Sequence, residues 1–93
     1  MPWVRTVAWT SKLSFKEAMK QFRKDVVPVL KESPATSIKH VQTGPNSGLI
    51  ILEFDGKRAL NRHEKMVADI RKPVAKKSKS KVTVIDGPVR WSQ

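Results

Sequence analysis

The chain contains no cysteine, and with it go disulfide bridges, thiolate metal sites and cysteine nucleophiles. Long apolar runs are also missing. The most extended are Val26-Val27-Pro28-Val29-Leu30 and Leu49-Ile50-Ile51-Leu52, well short of the roughly 20 residues that span a bilayer. The opening Met1-Pro2-Trp3-Val4-Arg5-Thr6 reads as strand and lacks the apolar core of a signal peptide. The expectation is a soluble, cytoplasmic chain with no membrane contact. Aromatic residues are few, three Trp and three Phe. Acidic residues are scarcer than basic ones: eight Asp and Glu against 19 Lys and Arg, a formal charge of +11.

What remains is 93 residues, enough for one domain over 1–93 and no second. A chain this short buries only about 60 to 65 % of the surface its unfolded form exposes. Without disulfides or a metal, added stability must come from packing or self-association. The charge is uneven. Residues 57–81 hold ten basic side chains against Glu64 and Asp69. Such a field concentrates anions and can hold nucleic acid or another polyanion non-specifically; it also simply keeps a small protein soluble.

Trp3 to Thr10 is aromatic and β-branched without a helical period, and predicts a strand. Trp3, Arg5, Val7 and Trp9 share one face. Ser14-Phe15-Lys16-Glu17 is a capping-box pattern. Behind it Phe15, Ala18, Met19, Phe22, Val26, Val29 and Leu30 form an apolar stripe at steps of three and four. Pro28 predicts a kink or break before the chain leaves at Ser33-Pro34. Ala35 to Thr43 predicts a second strand, Gly44 to Gly48 a turn, and Leu49 to Phe54 a third strand that is apolar on both faces. A strand of that kind must be covered on both faces.

Asp55-Gly56 leads into a second helix over Lys57 to Lys72, ended or kinked at Pro73. Its seam is Leu60, His63, Val67, Ile70 and Val74. The cap-like Asn61-Arg62-His63-Glu64 leaves a later start open. Ala75 to Lys81 reads as a basic loop, Val82 to Ile85 as a strand, Asp86-Gly87-Pro88 as a turn, and Val89-Arg90-Trp91 as a short extra strand. The order β-α-β-β-α-β predicts an α+β, ferredoxin-like domain: an antiparallel sheet with both helices on one face.

By element order, length, the two-faced strand at Leu49–Phe54 and the terminal Val89-Arg90-Trp91, the chain resembles the dimeric α+β barrel superfamily. That superfamily includes antibiotic-biosynthesis monooxygenase-like domains. The resemblance spans Trp3 to Trp91 and rests on no diagnostic motif. It implies a homodimer packed through the helix-free face of the sheet, and a small-ligand-binding or cofactor-independent, enzyme-like function. No specific family's catalytic set maps onto these residues.

Candidate chemistry is therefore assembled residue by residue. If the first strand turned its Trp face away from the helices, Trp3, Arg5, Val7 and Trp9 would line the space between two sheets. With His40 nearby, they make a candidate pocket for a small aromatic or carboxylated ligand. Tryptophans filling a dimer interface are the plainer alternative. His40 lies on a mixed face; His63, inside the apolar seam, reads as a hydrogen-bonded structural histidine. Neither belongs to a metal-ligand spacing, so no metal or cofactor is expected. Arg58, Arg62, Lys65, Lys72, Lys76, Lys77, Lys79 and Lys81 are the candidate polyanion-binding residues, and a solvated charged face is their alternative. An RNA-recognition module would need aromatics where Leu49 and Ile51 stand. A structural or interaction protein without catalysis stays open.

Overall fold

A computed structural model describes residues 1–93. Strand β1 (Trp3–Ser11) leads into helix α1 (Phe15–Asp25), a single turn α2 (Val27–Leu30), strands β2 (Ser37–Gly44) and β3 (Ser47–Phe54), helix α3 (Lys57–Lys77) and strand β4 (Ser80–Pro88). The sheet order is β2-β3-β1-β4 and every neighbouring pair is antiparallel. This is the ferredoxin-like α+β plan, with all the helices on one face.

The Ser14 side chain accepts from the amide of Glu17 at 3.3 Å and so caps α1. The reciprocal half of the capping box does not form. Pro28 breaks the helical run as expected, because it has no amide to offer the carbonyl of Lys24. The amide of Val26 closes α1 onto Phe22 O at 2.9 Å, and α2 restarts with the proline in its first turn.

Pro73 behaves differently. Helix α3 runs through it to Lys77. Val74 and Ala75 on the far side pack towards the sheet, and that burial offsets the roughly 3 kcal/mol an interior proline costs. The basic loop read at Ala75–Lys81 is consequently a tight corner. Ser78 caps α3 with its amide on Val74 O at 3.0 Å. Lys79 takes the left-handed conformation at φ 51°, and β4 begins at Ser80. Asp86-Gly87-Pro88 is strand rather than turn, and Val89-Arg90-Trp91 forms no strand. Pairing ends with the amide of Val89 on Pro2 O.

The fully buried core is small. Leu52, Phe54 and Leu60 form it, with Trp3, Val7, Leu30, Ala35, Ile50 and Ala59 packed around them. Trp9, Ala18 and Val67 are buried outside this cluster, and between these contacts the helices leave a gap over the sheet.

Candidate functional site

The gap between helices and sheet is a partly open cavity of about 140 Å³, and 13 of its 19 lining residues are hydrophobic. The sheet supplies Arg5, Val7, Trp9, His40, Ile50, Leu52 and Val82. The helices contribute Ala18, Phe22, Leu30, His63, Val67 and Ile70, among others.

The Trp-bearing face of β1 therefore turns towards the helices, not away from them as the inter-sheet arrangement required. Two contacts show the orientation. Trp9 stacks on Phe15 of α1 at 5.7 Å between centroids, and Arg5 reaches Glu64 of α3. Arg5, Trp9 and His40 meet around one cavity. Trp3 does not join them: it packs on the Leu52–Phe54–Leu60 cluster, with the Lys57 ammonium 5.3 Å from its ring centroid. Trp91 is exposed at the end of the chain. No tryptophan lies on the helix-free face to fill an interface there.

At the β2 end, the Trp9 indole N–H donates to His40 Nε2 at 2.9 Å. Phe15 and Phe22 meet the imidazole edge-on at 5.9 and 4.6 Å. Since Nε2 accepts, the proton of the neutral ring sits on Nδ1, which is buried without a partner. Burial lowers the His40 pKa from its ordinary 6.5.

At the other end the His63 ring packs on Phe54 at 5.2 Å. His40 is in register with Ile50, so the two imidazoles lie four β3 residues apart, roughly 13 Å along the strand. His63 Nδ1 is 2.7 Å from Ser33 Oγ. Burial, reinforced by the charge of Arg5, pushes the His63 pKa down.

Arg5 is buried but not free. Its guanidinium donates to both Asp86 carboxylate oxygens, at 2.8 and 3.0 Å, and to Glu64 at 2.6 Å. Arg71 also donates to Glu64, at 2.6 Å. Burial pulls the Arg5 pKa down, yet the hydrogen bonds and charges of Asp86 and Glu64 outweigh it and the net shift is upward. Hydrogen bonding from Arg71, then from Arg5, lowers that of Glu64 against the opposing effect of burial. The guanidinium stays charged, and the formal charges of Arg5 and Arg71 are balanced within the cluster by Glu64 and Asp86.

The eight basic candidates do not share a surface. Arg58, Arg62, Lys65, Lys72 and Lys76 recur along the exposed side of α3, interrupted by Asp69. Lys77 lies 3.9 Å from Asp25. Lys79 occupies the corner. Lys81 pairs with Thr10 on the opposite sheet face, because its neighbour Val82 lines the cavity. Neither histidine belongs to a group of three or more metal-binding side chains. No helix is long and apolar enough to cross a membrane.

No family model matches the chain, and no curated protein does. Solved structures do. The chain superposes on the cofactor-independent oxygenase SnoaB from Streptomyces nogalater with a TM-score of 0.75. The match covers 98 % of this chain and 95 % of that one, at 14 % identity. The shared feature is the fold. A protein of unknown function from Nitrosomonas europaea gives 0.74 at 16 % identity, over 99 % of this chain and 92 % of that one. A dimeric ferredoxin-like protein from an uncultured marine organism gives 0.72 at 10 % identity, over 99 % and 98 %.

Proposed function

We propose that this protein is a cytoplasmic homodimer that binds a small, uncharged aromatic molecule in an enzyme-like cavity between sheet and helices. The observation that carries the reading is the cavity. Its walls are mostly apolar, and the charge of its one buried cation, Arg5, is balanced within the Arg5–Arg71–Glu64–Asp86 cluster. A charged ligand would lose its hydration without gaining a partner. The size fits a single ring, since an engineered apolar cavity of about 150 Å³ accepts benzene. The fold shared with a cofactor-independent oxygenase supports an enzyme-like role.

Self-association is supported by surface area. The chain exposes 6468 Å², whereas a free-standing monomer of its mass exposes about 5,400 Å². The excess of about 1,000 Å² is close to what one partner buries in a standard interface, about 800 Å². The helix-free face carries Val4, Val41, Leu49, Ile51 and Ile85, with Ile85 64 % exposed. Burying this face would remove that excess. The basic stripe on α3 serves solubility in this reading.

Titration with toluene tests the proposal, with tryptophan fluorescence as the readout, Trp9 being the one of the three indoles that lines the cavity. Saturable quenching is expected, and Val67→Phe, which places a ring inside the cavity, should weaken binding at least tenfold. Quenching that never saturates, or is indifferent to Val67→Phe, would sink the cavity reading.

A further inference from the structure

His63 is 3 % exposed and lies between Leu60 and Val67 on the apolar side of α3. A buried imidazole on such a face needs its polar atoms satisfied. Only one of them is. Ser33 Oγ accepts the amide of Ala35 at 3.1 Å and stands 2.7 Å from His63 Nδ1. This serine lies just past α2, where its hydroxyl is pinned from both sides and fixes the plane of the ring. The other ring nitrogen, Nε2, makes no hydrogen bond within the chain and, unlike His40 Nδ1, is not fully buried, as fits a residue that lines the cavity.

The hydroxyl can play either part. If Ser33 O–H donates to Nδ1, then Nε2 carries the ring proton and is a donor. If Nδ1–H donates to Ser33, Nε2 is a bare acceptor. A ligand group able both to donate and to accept satisfies either tautomer, and a phenolic hydroxyl does so without bringing a charge. A carboxylate would instead meet Glu64 and Asp86, which already hold Arg5.

We propose that His63 Nε2, oriented by Ser33, is the hydrogen-bonding anchor of the cavity, and that it makes the site select phenols over aromatic hydrocarbons. The inference rests on the aromatic-ligand reading. His63 is then the contact residue and Ser33 a positioning residue.

Para-cresol and para-xylene have nearly the same shape and differ in a hydroxyl for a methyl. A purely apolar cavity prefers xylene, because the cresol hydroxyl would be buried without a partner. The wild-type protein is expected to bind cresol at least as tightly as xylene. His63→Leu should move the cresol-to-xylene affinity ratio by about tenfold or more towards xylene, the cost of an unsatisfied buried hydroxyl. His63→Gln, which can still hydrogen-bond, should restore part of the ratio. Ser33→Ala should move it less, in the same direction. In the wild type, the imidazole ¹⁵N resonances of His63 should shift with cresol and hardly with xylene, a readout that needs no variant to fold. Equal ratios in wild type and His63→Leu, or His63 resonances indifferent to cresol, would overturn the inference while xylene binding left the cavity reading standing. Failure of both ligands to bind the wild type would overturn both.

Discussion

His40 and His63 carry a consequence beyond the ligand, because both are held neutral by burial. Each has a folded-state pKa below its ordinary 6.5. The unfolded chain therefore takes up protons from about pH 6.5 downward that the folded chain refuses. Their contribution to stability is fully present above that pH and is lost as pH falls through the folded values. Glu64, also shifted down, adds a second loss below its ordinary 4.5. Urea midpoints measured from pH 7.5 to pH 5 should decline, and the double variant His40→Gln/His63→Gln should flatten the decline. A wild-type midpoint that rises on acidification would contradict the neutral assignment. At this scale the sequence is a partial guide. It brings Arg5 and Trp9 onto one face and marks His63 as buried. The partners of Arg5 lie 59 and 81 residues away at Glu64 and Asp86, and no local pattern announces them. Ser33 gives no signal at all, since its role depends on where α3 comes to rest.

Strand β3 shows how an element positions the site. Gly48 reads in sequence as the end of a turn, yet it pairs with Trp9 inside the sheet. A Cβ built there would come within 2.5 Å of the Trp9 ring, so the indole lies flat over the glycine and its N–H is aimed at His40. Gly48→Ala should cost about 1 to 3 kcal/mol by overpacking and should shift the Trp9 indole and His40 imidazole resonances. A variant of wild-type stability with both resonances unmoved would contradict that packing. The strands and the α1 cap are legible because alternation and capping are local. The length of α3 is not, because Pro73 argues locally for a stop, while the packing of Val74 and Ala75 against distant strands decides otherwise. For the same reason the corner at Ser78–Lys79 reads as a long basic loop.

The whole molecule is two layers, 37 × 27 × 18 Å, and the outer face of the sheet carries Val4, Val41, Leu49, Ile51 and Ile85 beside Lys39, Glu53 and Lys81. Leu49 and Ile51 are the sequence signal for this face, and it survives in the fold as the side of β3 that no helix covers. Sedimentation equilibrium at micromolar concentration should return about twice the 10.5 kDa chain mass. Ile51→Lys should convert the dimer to monomer, since burying an unpaired ammonium at an interface costs several kcal/mol. A wild-type monomer, or a variant dimer as tight as the wild type, would remove the interface from that face.

The proposed function gives the two faces of the sheet separate roles, and one measurement tests that division most directly. Intermolecular nuclear Overhauser effects from bound toluene to the methyl groups of the isotope-labelled protein report which face holds the ring. Contacts to Leu52, Val67 and Ile70, which line the cavity, are the predicted result. Contacts confined to Leu49, Ile51 and Ile85, or no contacts at saturating toluene, would contradict the account.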